Sequence, residues 1–365
     1  MTFGAPDRIP LTPGGPREST LARWRREGLP AEGHWFDHLC EVLGIERPQT
    51  RRPVHLGASF RMIPQFEEKV LERKDDGHQI VQDWKGNICE ISGEFDVSYL
   101  RQAKDFCTRR WIKCPVETRD DWARMKQRYD IDTPGRFCDD FDDRSRRAAR
   151  RDYVLSVAFA GPFWQLREWC GFEGLCTMMI DEPDLVADMA AFWTDFVDRM
   201  LERIFARVVP DRVFINEDMA YKHKAMISPA MTRAFCKPSW DRWTARARRA
   251  GCPIVDVDSD GYVGELIPLW IESGVNVCDP IEVAAGNDIR DFRRRYGRAM
   301  GYRQGVDKRA IAAGGRTIRD ELRRIEPVVR NGGFIPGCDH GVPSDISWPA
   351  FVDYAGLLAR MTGWL

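Results

Sequence analysis

The sequence predicts an α/β protein that folds as a (β/α)8 barrel with an N-terminal helical or irregular extension. From about residue 53 onward, short apolar runs typical of strands alternate with longer amphipathic runs typical of helices. Such alternation with right-handed crossovers gives a parallel sheet. Six or more units over about 300 residues favour a closed barrel over an open sheet. The first fifty residues are polar and rich in proline, so we predict an extension over 1–50 and a single barrel domain over 51–365.

Several apolar runs are candidate strands, and most of them end in polar or acidic residues. No GxGxxG motif follows the first run, which argues against a dinucleotide-binding site. The predicted strands cover 54–58, 153–160, 213–218, 254–258, 275–279, 299–304 and 333–336.

The helical runs begin and end at residues that are typical of helix termini. The clearest run repeats apolar residues at helical spacing and starts at Pro183, since proline is favoured in the first turn. A second helix starts at Ser228 and Pro229, and Pro238 is expected to kink it. The predicted helices cover 19–27, 183–208, the segment from 228 onward, and 263–273.

Composition and charge exclude several classes of function. Lys and Arg number 55 and Asp and Glu number 56, so the formal net charge is −1 and the basic field of a nucleic-acid binder is missing. No run reaches the roughly 18 apolar residues of a membrane span, and residues 1–15 lack the apolar core of a signal peptide. Eleven cysteines occur without a CxxC pair, which favours reduced thiols and a cytoplasmic protein. Neither nucleic acid nor membrane is expected as a partner, and a homodimer is compatible with the sequence.

Polar side chains cluster where the predicted strands end, which is where a barrel places its active site. Asp258 and Asp260 are two residues apart, so an extended backbone directs both to one face, and Cys338 and His340 have the same spacing. Two carboxylates and an imidazole suit a divalent metal ion. The alternative is that the aspartates cap the following helix or pair with nearby Lys and Arg. The polar segments are Asn216-Glu217-Asp218, Asp256 to Gly261, Asp279 to Glu282, Asp307-Lys308-Arg309 and Gly337 to His340.

A longer series of segments in a fixed order points to a known family. The segments are Glu18-Ser19-Thr20 with Arg23-Trp24 and Glu27 to Pro30, Asn216 to Lys222 with Ile227-Ser228-Pro229, Asp258 to Gly261, Pro280 to Gly286, Asp307 to Arg309, and Gly332 to Pro336 with Asp339-His340. Over nearly its whole length the chain thus resembles the uroporphyrinogen decarboxylase superfamily. The resemblance implies a (β/α)8 barrel and one of two chemistries. One is cofactor-free decarboxylation of uroporphyrinogen, and the other is methyl transfer to or from a corrinoid protein or a thiol, usually with zinc.

Departures from the family pattern favour methyl transfer. The true decarboxylases have an N-terminal RQAGRY motif that binds propionates, and the corresponding strand here offers only Arg61, although His340-Gly341 resembles their C-terminal histidine-glycine. The zinc methyltransferases that activate thiols use HxC-G on one strand and a cysteine on the last strand. Here the segment Asp258 to Gly261 stands where HxC-G would be. His340 stands at or next to the position of the last-strand cysteine, and Cys338 lies two residues before it. Carboxylates and imidazole make a harder metal site than thiolates, which suits an oxygen- or nitrogen-bound methyl group.

The resemblance therefore implies a metal-dependent methyltransferase. It would move a methyl group from a small O- or N-methylated substrate, such as a methoxyaromatic compound, to a corrinoid protein. A divalent metal, expected to be zinc, would be held by Asp258, Asp260, His340 and Cys338. Cobalamin is expected on a separate corrinoid-binding protein, because the chain has no room for a corrinoid domain. The expected catalytic residues are Glu217, Asp218, Lys222 and Asp307, and the expected substrate-binding residues are Lys308, Arg309, Glu282 and Trp164.

Two other functions remain open. A metal-free carboxy-lyase acting on a carboxylated, uroporphyrinogen-like substrate would use Asp258 or Asp260 to stabilise a protonated intermediate, with His340 assisting in binding or proton transfer. The third function is a barrel with a different catalytic role or none, since a fold does not fix a function. Activity that survives the loss of all metal would favour the lyase.

Overall fold

The computed structural model describes residues 1–4, 6–46, 55–102, 105 and 107–365. The strands are β1 (Lys69–Arg73), β2 (His78–Gln82), β3 (Ile88–Ser92), β4 (Arg109–Lys113), β5 (Ser156–Ala160), β6 (Arg212–Asn216), β7 (Ile254–Asp258), β8 (Val277–Asp279), β9 (Gly301–Val306) and β10 (Phe334–Cys338). The helices are α1 (Glu18–Arg26), α2 (Trp35–Leu43), α3 (Tyr99–Gln102), α4 (Arg119–Lys126), α5 (Phe141–Ala149), α6 (Pro162–Cys170), α7 (Phe172–Asp181), α8 (Pro183–Phe205), α9 (Pro229–Met231), α10 (Lys237–Ala250), α11 (Ile267–Ser273), α12 (Ile289–Tyr296), α13 (Lys308–Ala313), α14 (Gly315–Arg330) and α15 (Trp348–Thr362).

The chain divides into two compact units, each assembled from separate parts of the sequence. The C-terminal unit comprises Met1–Arg51, Asp218–Met226 and Pro253–Leu365, and the central unit comprises Arg52–Glu217 and Ile227–Cys252. The expected division into an extension over 1–50 and one barrel domain over 51–365 stays a prediction.

The C-terminal unit is built around four parallel strands in the order β10-β9-β8-β7. Apolar residues such as Val255 and Val257 in β7 are buried, as expected for parallel strands covered by helices. Because the strands are parallel, their carboxyl ends lie at one edge. Side-chain oxygens of Asp288, Asp307 and Ser347 cap α12, α13 and α15 by accepting backbone N–H bonds in the first turn.

The N-terminal segment packs against the last helix of the same unit. Trp24 in α1 is fully buried, its indole Nε1 donates to the carbonyl of Ile346 at 2.9 Å, and its ring lies 4.5 Å from that of Phe351 in α15. The hydroxyl of Thr20 donates to the carbonyl of Val342 at 2.7 Å. The predicted helix over 19–27 is thus confirmed as α1, one residue earlier at each end.

The central unit contains an antiparallel sheet that the sequence analysis missed. Its strands are ordered β1-β2-β3-β4, and they precede the parallel pair β5-β6. All five residues of β1 are exposed, so this strand lacks the apolar alternation by which strands are recognised. The buried face is small and comprises Val81, Cys89 and Ile91, with Phe95 and Leu100 packed against it.

Aromatic side chains form the core of the central unit beside β5 and β6. Tyr129 lies at the centre of this cluster, and its hydroxyl accepts a hydrogen bond from Trp169 Nε1 at 3.0 Å. The rings of Trp193 and Phe196 lie 5.6 Å and 5.4 Å from that of Tyr129. Many of the 13 tryptophans in the sequence are therefore core residues, including Trp122, Trp240 and Trp243.

The strand and helix predictions agree with the structure over most of the chain after residue 150. The last six predicted strands are confirmed as β5 to β10, and the predicted helices are confirmed as α8, α9 with α10, and α11. A π-helical stretch, Thr232–Cys236, joins α9 to α10 just before the predicted kink at Pro238. Val54 lies outside the described residues, and Ala58 forms only an isolated bridge, to Phe137.

Parallel strands with flanking helices confirm the α/β class. Strand pairing among the described residues closes no ring, and the eight-stranded barrel stays a prediction. None of the helices in the described ranges is long and apolar enough to cross a membrane.

Arg136 holds the loops of the central unit through backbone carbonyls. Its guanidinium is 1% exposed and donates to the carbonyls of Ser59 at 2.9 Å, Arg128 at 3.3 Å and Asp130 at 3.3 Å, and also to that of Arg61. These carbonyls would lose a buried donor if the side chain were apolar.

We expect Arg136→Met to lower the free energy of unfolding by about 3 kcal/mol or more, because each buried acceptor left without a donor costs about 1–3 kcal/mol. Urea denaturation followed by tryptophan fluorescence measures the change. The control is Arg146→Met, since Arg146 is exposed on α5. Equal stability of both variants would show that the Arg136 hydrogen bonds do not stabilise the central unit.

Candidate functional site

Carboxyl groups gather at the carboxyl ends of the parallel strands in the C-terminal unit. Asp258 is the last residue of β7, Asp279 is the last of β8, and Asp339 follows β10. Asp279 and Asp339 are 5% and 0% exposed. Carboxylates are seldom buried without cations or hydrogen-bond donors beside them. The groups around each carboxyl group therefore decide whether it is ionised, keeps a proton or attracts a cation.

Asp258 is the most perturbed carboxyl group at this edge. Withdrawal from solvent raises the pKa of Asp258 to about 8, and the negative charges of Asp279, Asp260, Asp218 and Asp256 raise it in the same direction. A carboxyl group among others of the same charge keeps a proton or attracts a cation. At neutral pH, Asp258 therefore holds a proton unless a cation takes its place.

One arginine offsets part of this negative charge. Arg303 lies in β9, and its Nη1 is 3.1 Å from a carboxylate oxygen of Asp256 and 3.4 Å from one of Asp279. The sequence analysis did not single out Arg303. The sequence did contain an indication that Arg303 has a role, since it is a charged residue in the middle of the otherwise uncharged strand β9.

The segment that follows β6 is fixed to the end of β7. The backbone N–H of Asp218 donates to the carbonyl of Asp258 at 3.0 Å, and that of Met219 donates to the hydroxyl of Ser259 at 3.0 Å. Asp218 has a positive φ of 39°, which is uncommon for a residue other than glycine and costs free energy. Asp218 is thus placed beside Asp258, as its predicted role requires.

Asp260 and His340 are brought together, as their predicted role as ligands requires. The Nε2 of His340 lies 3.1 Å from a carboxylate oxygen of Asp260, and a guanidinium nitrogen of Arg17 lies 3.3 Å from Nδ1. Because Arg17 can only donate, Nδ1 accepts, which assigns the proton of the neutral ring to Nε2. The hydrogen bond with Asp260 raises the pKa of His340.

The surroundings of Cys338 disfavour the thiolate that would bind a metal, and its role as a ligand stays a prediction. Its side chain is fully buried, and burial raises the pKa of the thiol to about 12. A thiol binds metal as the thiolate, which this environment disfavours. The last residue of β10 is Cys338, whereas His340 lies beyond the strand.

Lys308 and Glu282, both predicted to bind substrate, pair with each other, and their substrate-binding role stays a prediction. The ammonium of Lys308 is 2.9 Å from one carboxylate oxygen of Glu282, and the other oxygen accepts from the backbone N–H of Gly261 at 2.8 Å. Asp339 lies 3.8 Å from the same ammonium and accepts backbone N–H bonds from Val283 and Lys308. Burial raises the pKa of Asp339 to about 6. These contacts hold the strand ends and their loops together.

Asp307 and Arg309 also pair with each other. The carboxylate of Asp307 accepts the backbone N–H of Arg309 as the cap of α13, and it lies 2.8 Å from the Arg309 guanidinium. Lys222, which was predicted to be catalytic, is exposed in a turn closed by the hydrogen bond from Tyr221 N–H to the carbonyl of Lys224.

Glu217 and Trp164 lie in the central unit. Glu217 is fully buried, and its carboxylate accepts from the backbone N–H groups of Phe163 and Trp164 and from the indole Nε1 of Trp240 at 2.5 Å. Burial raises the pKa of Glu217 to about 8, against the effect of these donors. The contacts give Glu217 a structural role as the cap of α6, and its predicted catalytic role stays a prediction.

Among the described residues, one group offers three metal-ligating atoms within 4.8 Å of one another. It consists of Asp76 in the turn before β2, His78 in β2 and Glu90 in β3. The predicted set at β7 and β10 forms no such group in the described ranges. There, Asp260 and His340 are the pair in contact, and Asp258 has the chemistry of a ligand. Metal binding at this edge stays a prediction.

Comparison with known proteins leaves the family unassigned. No family model matches the chain, and no curated protein matches it. Among solved structures, the chain is similar to a methyltransferase from Methanosarcina mazei, with 12% sequence identity, a TM-score of 0.46 and coverage of 74% of each chain.

The perturbed pKa of Asp258 predicts how stability depends on pH. The folded state holds this proton up to about pH 8, whereas an ordinary aspartate releases it near pH 3.8. Between these values the folded state binds more protons, so its stability falls as the pH rises. In chelator-treated protein, we expect Asp258→Asn to remove much of this fall.

At pH 8, Asp258→Asn is expected to be more stable than the wild type by at least about 2 kcal/mol, since each unit of pKa difference corresponds to about 1.4 kcal/mol. Denaturant titrations at pH 5 and pH 8 measure this difference. The control is Asp353→Asn, because Asp353 is exposed on α15. A wild-type protein with the same stability at both values would contradict the assignment of the proton to Asp258.

Proposed function

We propose that the chain is a metal-dependent methyltransferase that moves a methyl group from a small O- or N-methylated compound to a corrinoid protein. Asp258, Asp260 and His340 would hold the divalent cation. The observation that supports this most strongly is the excess of carboxyl groups around Asp258, which a proton or a cation must offset. The similarity of the sequence segments to the uroporphyrinogen decarboxylase superfamily supports the same class.

The donor chemistry of these residues fits a divalent cation. Asp258 and Asp260 offer carboxylate oxygens, and His340 offers an imidazole nitrogen next to Asp260. Oxygen and nitrogen donors suit a zinc ion that acts as a Lewis acid. We leave Cys338 out of the proposed ligand set because its buried thiol stays protonated. A cation bound at this site would polarise the oxygen or nitrogen of the methyl donor and lower the pKa of the leaving group.

The residues around the site have roles that follow from their contacts. Asp258 would release its proton when the cation binds. To bind the cation through Nε2, His340 would carry its ring proton on Nδ1, and Nδ1 would then no longer accept a hydrogen bond from Arg17. Asp218, fixed beside Asp258 by its backbone, is the candidate to protonate the demethylated product. Arg303 would offset the negative charge of Asp256 and Asp279, because its guanidinium lies close to both carboxylates.

A second candidate function rests on the same proton of Asp258. A carboxyl group that remains protonated at neutral pH can donate its proton to a developing carbanion, as a decarboxylase requires. In that case no metal would bind, and the chain would be a carboxy-lyase. Metal content distinguishes the two functions.

We expect protein purified without chelator, or incubated with zinc and desalted, to contain close to one equivalent of metal by elemental mass spectrometry. Asp258→Ala and His340→Ala should lose it, because each removes one proposed ligand. Cys338→Ala should retain it. His78→Ala is the matched control, since it removes the imidazole from the group Asp76, His78 and Glu90.

Loss of metal in His78→Ala and retention in Asp258→Ala would assign the metal to the antiparallel sheet and contradict the proposal. No metal in the wild type after incubation with zinc would favour the carboxy-lyase. Methyl transfer is measured with cob(I)alamin as the acceptor, from the absorbance of methylcobalamin, over a panel of methoxyaromatic and N-methyl compounds. Turnover that Asp258→Ala leaves unchanged would also contradict the proposal.

A further inference from the structure

The central unit contains a cavity of about 760 Å³ with both cationic and aromatic walls. This volume lies within the range of small-molecule sites, roughly 300–1,000 Å³. Its wall includes Arg61, Lys85, Arg101 and Arg109, together with the rings of Trp84 and Trp164. The sequence analysis assigned a binding role only to Trp164 among these six residues.

The cavity wall has an excess of positive charge. Glu168 is the one acidic residue on the described part of the wall, and its carboxylate contacts the ammonium of Lys85. Arg101 is paired with Glu68 at 2.9 Å. In the described part of the chain, no carboxylate lies within ion-pair distance of Arg61 or Arg109. Two guanidinium groups are therefore available to an anionic ligand.

The cations converge on one region of the wall. Burial lowers the pKa of Lys85 to about 7, and the charges of Arg109, Arg167 and Arg61 lower it in the same direction, against the charge of Asp83. The guanidinium carbon of Arg61 lies 4.9 Å from the centroid of Trp84, and the ammonium of Lys85 lies 5.3 Å from it. Cations gathered in this way bind a carboxylate more strongly than one cation alone.

A fixed turn positions Trp84 and Lys85. Asp83 is 1% exposed, and one of its carboxylate oxygens accepts the backbone N–H groups of Lys85 and Asn87, each at 2.9 Å. The turn joins β2 to β3, so the antiparallel sheet holds both side chains at the cavity. Preorganised side chains reduce the entropy lost when a ligand binds.

We propose that this cavity binds a small aromatic acid, whose planar ring contacts Trp84 and Trp164 and whose carboxylate pairs with Arg61 and Arg109. Flat aromatic walls favour a planar ring, since offset and edge-to-face contacts between rings are stabilising. Guanidinium groups bind carboxylates with two parallel hydrogen bonds. The site does not depend on the methyl transfer proposed above.

The test is isothermal titration calorimetry of the full chain with benzoate, benzamide and cyclohexanecarboxylate. Benzamide keeps the ring without the charge, and cyclohexanecarboxylate keeps the charge without the planar ring. We expect benzoate to bind at least tenfold more tightly than either, and its affinity to fall as salt is added. Equal affinity for benzoate and benzamide, or no binding of benzoate at millimolar concentration, would overturn the proposal.

Variants assign the binding to the cavity. Arg61→Gln and Arg109→Gln should each weaken benzoate binding about tenfold or more, whereas Arg109→Lys should retain most of the affinity because it keeps the charge. Arg110→Gln is the matched control, since Arg110 is the next residue in β4 and its side chain is 82% exposed, outside the cavity. Arg110→Gln should bind like the wild type.

Equal losses in Arg109→Gln and Arg110→Gln would show that a general change of charge, and not this cavity, governs binding. Trp164→Leu tests the ring contact separately. It should weaken benzoate binding by a larger factor than cyclohexanecarboxylate binding, because only benzoate loses an aromatic partner. The same factor for both ligands would overturn the proposed ring contact. Circular dichroism of each variant confirms that the chain is folded.

Discussion

The crowding of carboxyl groups at the carboxyl ends of β7, β8 and β10 is the constraint on which the C-terminal unit depends. An ionised carboxylate in a poorly solvated site is unfavourable unless cations or hydrogen-bond donors surround it. Arg303 lies between Asp256 and Asp279, whereas Asp339 has two backbone donors and the ammonium of Lys308. Among the described residues, no hydrogen bond or ion pair of the Asp258 carboxyl group is found, and its pKa is raised to about 8. The mutual repulsion of the carboxyl groups at this edge is therefore relieved at Asp258, which keeps a proton at neutral pH unless a cation binds.

The sequence predicts the parallel strands better than it predicts the antiparallel sheet. The strand over 254–258 is found as predicted, because Ile254, Val255 and Val257 are β-branched residues, which are typical of strands. All five residues of the strand Lys69–Arg73 are exposed and most are charged, so neither its composition nor its spacing distinguishes it from a loop. Its position depends on pairing with β2, which a local pattern does not contain. The cavity residues Lys85 and Arg109 were missed for the same reason.

Within the candidate site, the spacing of two residues along the sequence predicts that their side chains lie close together only where the backbone between them keeps one conformation. Asp260 and His340 were correctly expected to lie together, since each follows the end of a parallel strand. Cys338 has the same spacing from His340 that Asp258 has from Asp260, yet it is buried at the end of β10. Lys308 and Arg309 were expected to bind substrate, but nearby carboxylates pair with them. A sequence shows which charged residues are available, and only the fold shows which of them are already paired.

The protonation of Asp258 also relates the two candidate functions to each other. A proton and a divalent cation compete for the same carboxylate oxygens, so the site is either an acid or a metal ligand at any moment. A metal that binds tightly at neutral pH must displace a proton held up to about pH 8, which makes its affinity rise with pH. A decarboxylase that uses this proton would instead lose activity as the pH rises past the same value. The two chemistries thus have opposite pH dependences for one physical reason, namely the charge around Asp258.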